Sequence, residues 1–122
     1  MLKSLSLKNI SFYTFIGCLE SEKERKNLVE CDVTLRVDLP FSSSTSDDDL
    51  ENTLDYRVIE ETLLSIASGR HFNMMESLGE AFLADIVHRW PQVKQAEIQL
   101  RKPQALPSGA VPEVTMVYPD EQ

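Results

Sequence analysis

The sequence predicts an α+β fold in which an antiparallel four-stranded sheet carries two helices on one face. Apolar and polar residues alternate in two stretches near the N-terminus and in two near the C-terminus, the period typical of half-buried strands. Two stretches between them repeat apolar residues at helical spacing. The order is therefore ββααββ, and with short connections the economical packing places both helices on the same sheet face.

The first two strands are predicted to form an antiparallel pair. Strict alternation over residues 29–39 predicts a long, half-buried strand, and a looser alternation over residues 5–12 predicts its neighbour. The polar segment 16–27 is expected to be an elaborated hairpin connection. Residues 41–49 are almost entirely Ser, Thr and Asp, so we expect a flexible, solvated crossover loop there.

Two amphipathic helices are predicted in the middle of the chain. The first presents one face made of Tyr56, Ile59, Leu63 and Ile66. Gly69 is its expected C-terminal stop. The second presents one face made of Met75, Leu78, Phe82 and Ile86. Asn73 is its expected N-cap, and it is expected to end before Pro91.

The last two strands surround a loop that prolines keep out of helical conformation. Alternation predicts one strand around Ile98 and another around Met116, and three prolines and a glycine lie between them. The second sheet face carries the polar members of all four alternations. We expect that face to meet solvent or another subunit.

Length and charge exclude several classes of protein. A chain of 122 residues is expected to form a single domain, residues 1–122, because domains contain roughly 150 residues. A net charge of -8 is the wrong sign for binding nucleic acid or an anionic membrane surface. No apolar run approaches the ~20 residues that span a bilayer, and the first residues lack the apolar core of a signal peptide. We therefore expect a cytoplasmic protein.

The reactive residues exclude further classes. Cys18 and Cys31 are the only cysteines, and they lack the close spacing of zinc ligands. His71 and His88 are the only histidines, which argues against a metal site and against a Ser-His-Asp triad. No glycine-rich phosphate-binding loop is present. The sequence thus predicts no metal and no cofactor.

Four side chains stand at predicted element ends, where they can converge on a cleft. Each also has an ordinary structural explanation. Glu22 lies in a solvated charge run, and Tyr56 fits the apolar face of the first helix. Glu76 stands three residues after Asn73, the spacing of a capping box. Lys102 ends a strand, where lysines are commonly solvated. Taken singly, none of the four predicts an enzyme.

Four sequence blocks give these positions a common context. They are Phe12 to Gly17 leading to Glu22, Asp48 to Leu50 leading to Thr53 to Tyr56, Phe72 to Leu78, and Lys102 with Pro103. Their order and spacing resemble the dihydroneopterin aldolase family and its close relative, the dihydroneopterin triphosphate epimerases. The resemblance covers nearly the whole chain.

The resemblance implies the tunnelling fold (T-fold) and a ring-like oligomer. In that family small subunits join their sheets into a tetrameric ring, and two rings stack into a homo-octamer. The active sites then lie between subunits. Tyr56 would come from the neighbour of the chain that supplies Glu22, Glu76 and Lys102.

The resemblance also implies a binding site for a pterin. Glu76 matches the family's anchor, since a carboxylate accepts the two parallel N–H donors of the pyrimidine edge. Leu19, Leu54 and Met75 would wall the flat ring, together with the backbone around Asp55.

The implied chemistry is a retro-aldol cleavage. Lys102 matches the family lysine that acts as acid and base, a role that calls for partial desolvation. Glu22 would orient the substrate's side chain or its hydroxyls, and Tyr56 would help to protonate the enol-type intermediate. The pterin ring is the electron sink, so neither a metal nor a Schiff base is implied.

The chain departs from the aldolases at two places and leaves alternatives open. Ile16 and Gly17 stand where aldolases usually carry His-Gly, and Lys26 with Asn27 replaces a Gly-Gln pair. The first change resembles the epimerase branch. The implied function is the aldolase step of folate biosynthesis, with C2′ epimerisation as a neighbouring activity. The alternatives are a dihydroneopterin triphosphate 2′-epimerase and a non-catalytic pterin-binding ring protein.

Net charge and residue types weigh between these alternatives. A triphosphate substrate favours a basic rim, and in the sequence only Lys23, Arg25 and Lys26 cluster near Glu22. This favours the aldolase. A mere binder would not need Lys102, which counts against a silent protein.

Overall fold

The computed structural model describes residues 2–38 and 54–120. In chain order the elements are β1 (Leu2–Thr14), α1 (Glu20–Glu24), β2 (Asn27–Asp38), α2 (Tyr56–Ser68), α3 (Met75–Arg89), β3 (Val93–Arg101) and β4 (Glu113–Tyr118). The predicted α+β order is confirmed, with the short helix α1 as an addition inside the hairpin connection. The predicted crossover loop at residues 41–49 lies outside the described residues.

All three strand pairs of the sheet are antiparallel, in the order β1-β2-β3-β4. The alternation in β2 places its apolar side chains on one face, where Val29, Cys31, Val33, Leu35 and Val37 are buried. Their polar neighbours face the other way. Because β2 pairs on both sides, it forms the centre of the sheet, and its buried face forms the floor of the core.

A bulge explains why the alternation in β1 is looser than in β2. The register against β2 shifts between Leu7 and Ile10. Asn9 lies in this shift with a φ of 61°, a region that asparagine tolerates better than most residues. Its backbone N–H donates to Oδ1 of Asp32 at 2.7 Å. The bulge is thus held by a side chain of the neighbouring strand.

Both long helices pack on the same face of the sheet, as predicted. Helix α2 contacts β1 and α3, and α3 contacts β3 and β4. Their buried residues are Ile59, Thr62, Leu63 and Ala67 in α2, and Leu78, Gly79, Phe82, Leu83 and Ile86 in α3. The core lies between these residues and the buried face of the sheet. None of the helices within the described ranges has the length and apolar character needed to cross a membrane.

The start of α3 differs from the prediction. Its N-cap is Met74, so the interpretation of Asn73 as N-cap of a capping box with Glu76 is wrong. The segment before the helix is held extended, because Phe72 forms a parallel bridge with Ile16. The helix therefore begins later, and Glu76 is its second residue.

The start of α2 also differs in one respect. Asp55 is the N-cap, and its carboxylate accepts from the backbone N–H of Arg57 at 3.0 Å. Tyr56 is 57% exposed and does not join the core, because it precedes the first turn that packs on the sheet. Ile59 is the first fully buried residue of that helix. The interpretation of Tyr56 as a core tyrosine is wrong.

Candidate active site

The structure brings Lys102 and Glu22 into direct contact. Nζ of Lys102 donates to Oε2 of Glu22 at 2.6 Å, and the two side chains are only 12% and 15% exposed. Lys102 follows the last residue of β3, and its backbone N–H donates to the carbonyl of Pro112 at 3.2 Å, just before β4. The sheet thus fixes the base of the lysine. Partial burial strengthens the attraction between the two charges relative to bulk water.

Two further donors hold the Glu22 carboxylate. Oε1 accepts from the backbone N–H of Leu19 at 3.2 Å, and Oε2 accepts from Nδ2 of Asn27 at 3.2 Å. The Asn27 amide also donates to the carbonyl of Ile16 at 2.8 Å. Burial raises the pKa of Glu22, but the hydrogen bonds from Lys102, Leu19 and Asn27 and the lysine charge outweigh it and lower the pKa below its usual value. Glu22 is therefore a carboxylate at neutral pH.

The short helix α1 presents Glu22 to this position. Leu19 precedes the helix as its N-cap, and Glu22 is the third helical residue. The Glu22 side chain returns to the N-cap backbone, which is one half of a capping box. A glutamate three residues after a possible helix start was the available signal for this helix. The sequence analysis treated the whole segment as a connection and missed it.

Gly17 makes room for the Glu22 carboxylate. Its φ is +128°, a conformation that side chains rarely adopt, and a Cβ built there would overlap the carboxyl group of Glu22. Its backbone N–H donates to the carbonyl of Phe72 at 2.9 Å. The glycine therefore lets the carboxylate pack directly on the backbone. The sequence analysis named Gly17 and Asn27 only as parts of motifs, and missed that both position Glu22.

The same contacts bring the start of α3 near this pair. The bridge from Ile16 to Phe72 and the bond from Gly17 to Phe72 join the segment before α1 to the segment before α3. Met75 is half-buried against the core, and Glu76 is exposed in the first turn of α3. Within the part of the chain that the structure describes, Glu76 has no ion-pair partner. A carboxylate in a first helical turn is favoured by the helix dipole.

Leu54, Asp55 and Tyr56 lie at the other end of the chain's long helix α2. The C-terminal end of α2 is tied to the end of β1, because Thr14 Oγ1 donates to the carbonyl of Ala67 at 2.9 Å. A helix of this length spans ~20 Å at 1.5 Å per residue. One chain therefore does not bring Tyr56 to the pair that follows β1.

Two residues of this second group have partners of their own. Asp55 accepts from Nε of Arg57 at 3.1 Å and from an Nη of Arg57 at 3.0 Å, and these bonds lower the pKa of Asp55. Leu54 is 6% exposed and joins the core, whereas Leu19, beside Glu22, is 64% exposed. Across residues 2–38 and 54–120, no His, Cys, Asp and Glu side chains are grouped in a way that could hold a metal ion.

Fold and site together define a small α+β protein with a shielded Lys-Glu pair at one end of an antiparallel sheet. The sequence model of the family described as dihydroneopterin aldolase matches residues 5–117. The chain therefore belongs to the dihydroneopterin aldolase family, as the four sequence blocks predicted.

Curated relatives carry two activities in their names. The chain is 29% identical over 102 residues to a dihydroneopterin triphosphate 2′-epimerase of Pseudomonas aeruginosa, covering 84% of this chain and 80% of the relative. It is 26% identical over 96 residues to a dihydroneopterin aldolase of Staphylococcus epidermidis, covering 79% and 78%. Family membership alone therefore leaves the choice of reaction open.

Solved structures confirm the predicted fold. A putative dihydroneopterin aldolase from Vibrio cholerae superposes with a TM-score of 0.85 at 23% identity, covering 94% of this chain and 95% of that one. The dihydroneopterin aldolase of E. coli in complex with neopterin superposes with a TM-score of 0.83 at 23% identity, covering 94% and 97%. A dihydroneopterin aldolase from Burkholderia thailandensis bound to guanine gives 0.79 at 22% identity, covering 98% and 93%. The ring and the octamer stay predictions.

Proposed function

We propose that this protein is an enzyme that cleaves 7,8-dihydroneopterin between C1′ and C2′, releasing 6-hydroxymethyl-7,8-dihydropterin and glycolaldehyde. The observation that carries the proposal is the shielded contact of 2.6 Å between Lys102 and Glu22. A structural ion pair does not need a glycine of positive φ beneath one of its charges, and Gly17 supplies one. Membership of the aldolase family adds further support.

The pair is suited to move a proton while the carbon–carbon bond breaks. The C2′ hydroxyl must lose its proton as C2′ becomes the aldehyde carbon of glycolaldehyde. The electrons of the C1′–C2′ bond pass into the dihydropterin ring, and a proton must then be added at C1′. Lys102 exchanges the proton with the hydroxyl, and Glu22 holds the ammonium in place. The ring takes up the electrons, so the proposal needs no metal and no cofactor.

Glu76 is proposed as the anchor of the pterin ring. Its carboxylate accepts the ring N–H and the exocyclic amine together, a bidentate and charge-assisted contact. Leu19 and Met75 cover the ring from this chain, and Leu54 and Asp55 from the next. The ligands of the two related aldolases fit this geometry, since neopterin and guanine both carry this pair of donors.

The proposed site is completed by a second subunit. Tyr56 is exposed at the far end of α2, where it contributes to no described site of its own chain. In a ring it is free to enter the site of a neighbour and protonate the enol-type intermediate. We therefore propose a homo-octamer of two stacked tetrameric rings in the cytoplasm, with active sites between subunits.

Epimerisation at C2′ is the second candidate. It is favoured by the Pseudomonas aeruginosa relative named as a 2′-epimerase. Ile16 and Gly17 also follow the epimerase pattern. Epimerisation begins with the same bond cleavage, because the glycolaldehyde fragment can turn over and recombine before it leaves. One site is therefore able to perform both reactions.

A side-by-side assay with 7,8-dihydroneopterin and its triphosphate tests the proposal. We expect glycolaldehyde and 6-hydroxymethyl-7,8-dihydropterin from the first substrate. Cleavage and inversion at C2′ are scored separately, by chromatography of the pterin products. Inversion without cleavage on both substrates would replace the aldolase by the epimerase. Absence of any product at high enzyme concentration would reject both activities.

A further inference from the structure

A cavity of about 650 Å³ opens beside the Lys102–Glu22 pair. It lies between the end of β1, the helix α1 and the segment that follows α2, and three separated stretches of sequence line it. Tyr13, Thr14 and Phe15 form one wall, and Ala67 and Ser68 form another. Neither the proposed pterin anchor nor the proposed proton transfer uses this space.

The cavity is basic in a strongly acidic chain. Four basic side chains line it, Lys23, Lys26, Arg70 and His71, and none of the described lining residues is acidic. The chain as a whole has 20 acidic residues and a net charge of -8. The local charge of this cavity is therefore opposite to that of the molecule, which favours an anionic ligand.

Contacts inside the protein hold most of these basic groups in place. The ammonium of Lys26 lies 5.7 Å from the ring centroid of Phe15, and the guanidinium of Arg70 lies 4.4 Å from that of Phe72. Nε of Arg70 donates to the carbonyl of His71 at 3.0 Å. Aromatic faces orient a cation without neutralising it, so both keep donors for a ligand.

The cavity shares a wall with the proposed catalytic site. Nε2 of His71 donates to the carbonyl of Gly17 at 2.8 Å, and Gly17 is the residue on which the Glu22 carboxylate packs. Lys23 follows Glu22 in α1, so their side chains leave the helix about 100° apart. One turn of helix thus directs Glu22 to Lys102 and Lys23 to the cavity. A ligand in one site reaches the other across a single glycine.

We infer that this cavity is a phosphate subsite, which takes the phosphate-ester tail of a dihydropterin whose side chain is in the Lys102–Glu22 site. The inference rests on the proposed function. The side-chain end farthest from the pterin ring is the C3′ oxygen, so a di- or triphosphate carried there projects beyond the bond that breaks. Lys23, Lys26 and Arg70 then bind the phosphate oxygens by charge-assisted hydrogen bonds.

The test compares a double variant of the cavity with a charge-matched control. Lys26→Gln with Arg70→Gln removes two cations from the cavity. Arg25→Gln with Lys94→Gln removes two cations elsewhere, since neither residue lines it. KM and kcat are measured for 7,8-dihydroneopterin and for its triphosphate, and inorganic tripolyphosphate is titrated by calorimetry. Thermal unfolding checks that each variant folds, and Lys26→Gln alone serves if the double variant does not.

We expect the cavity variant to raise KM for the triphosphate and Kd for tripolyphosphate by roughly ten- to a hundredfold, because charge-assisted contacts are lost. KM for dihydroneopterin and both kcat values should stay near wild type. The control should change none of these values. Tripolyphosphate should compete with the triphosphate ester.

Other outcomes separate the possible failures. Equal effects on both substrates, or unchanged tripolyphosphate binding, would overturn the subsite. Tripolyphosphate that binds without competing would identify a site for free phosphate, which also overturns the inference. If neither substrate is turned over, the proposed function fails, whereas calorimetry still shows whether the cavity binds phosphate.

Discussion

Nζ of Lys102 lies 2.6 Å from Oε2 of Glu22, across 80 residues of sequence. The contact joins the end of β3 to a one-turn helix inserted between β1 and β2. Because both side chains are shielded and the carboxylate has two more donors, the ammonium is held at a fixed position. A fixed proton donor and acceptor beside a substrate is what general acid–base catalysis requires.

Loss of the lysine should separate binding from turnover. We expect Lys102→Ala to bind neopterin near wild-type affinity but to cleave 7,8-dihydroneopterin roughly 10²–10⁴-fold more slowly, the contribution of general acid–base catalysis. Calorimetry gives the affinity, and single-turnover assays give the rate. Lys94→Ala, at an exposed position of β3, is the control and should keep both values. Near-normal cleavage by Lys102→Ala would remove the lysine from the chemistry.

The depressed pKa of Glu22 predicts how stability depends on pH. A carboxyl whose folded pKa lies below its unfolded value of 4.5 stabilises the fold above that value, and this stabilisation is lost as pH falls through the folded pKa. The free energy of unfolding of wild type should therefore exceed that of Glu22→Gln near neutral pH. The difference should shrink below about pH 4.5.

Urea unfolding from about pH 6 to about pH 3 measures this difference, at a fixed protein concentration because assembly contributes to stability. Subtracting the two profiles removes the contributions of Asp32 and Asp55, whose pKa values are also lowered. A difference that is independent of pH would contradict the proposed ion pair. A difference that grows as pH falls would reverse its sign.

Two glycines of positive φ allow a matched test of the site's geometry. Gly17 has φ +128° and no room for a Cβ beside Glu22, whereas Gly109 has φ +85° and open space around it. Alanine strains the backbone at both positions, by roughly 1–3 kcal/mol. Only Gly17→Ala should also displace the carboxylate and lower kcat strongly. Gly109→Ala should lose stability alone.

A double variant identifies the cause of that loss. If the alanine at position 17 collides with Glu22, then Gly17→Ala should destabilise a Glu22→Ala background less than it destabilises wild type. Unfolding free energies of the four proteins in this cycle give the coupling between the two positions. Additive effects would mean that the glycine serves the backbone only.

How far the sequence predicts this molecule depends on the range of each interaction. The strand β2 and the buried faces of α2 and α3 followed from periodicity, because each reports its own burial. The bulge at Asn9 depends on Asp32, which belongs to another strand. The start of α3 depends on Ile16, so the local signal at Asn73 pointed to the wrong residue.

The candidate site shows the same limit more sharply. Glu22 and Lys102 were identified through a family resemblance, since alone each was one charge among many. Their contact and the role of Gly17 exist only after the chain has folded. The basic cavity escaped the sequence analysis because His71 and Arg70 are far in sequence from Lys23 and Lys26. Net charge suggested an acidic surface, whereas the local charge beside the site is basic.

The proposed anchor should control affinity for the pterin ring. Glu76→Gln retains the size of the side chain but cannot accept two donors with full charge, so we expect roughly ten- to a hundredfold weaker binding of neopterin. Glu80→Gln removes the same charge one turn further along α3 and should bind as wild type does. Calorimetry compares the three proteins. Equal affinities would remove Glu76 from the anchor role.

Co-expression of two inactive variants tests whether a neighbour supplies Tyr56. Lys102→Ala retains the tyrosine, and Tyr56→Phe retains the lysine. If each site takes Lys102 from one chain and Tyr56 from the next, random mixing in a closed ring makes about a quarter of the sites complete. Differently tagged chains, co-expressed and purified by both tags, should then regain cleavage that neither variant shows alone.

A second pair of variants shows whether regained activity has this cause. Lys102→Ala mixed with Glu22→Gln should stay inactive, because one chain supplies both residues of the 2.6 Å contact and mixing cannot restore it. Recovery in both mixtures would mean that Glu22 and Lys102 of different chains meet in the assembly. Recovery in neither, with mixed oligomers verified by mass spectrometry, would mean that Tyr56 does not act in a neighbour's site. Recovery in the tyrosine mixture alone is the result that a shared site requires.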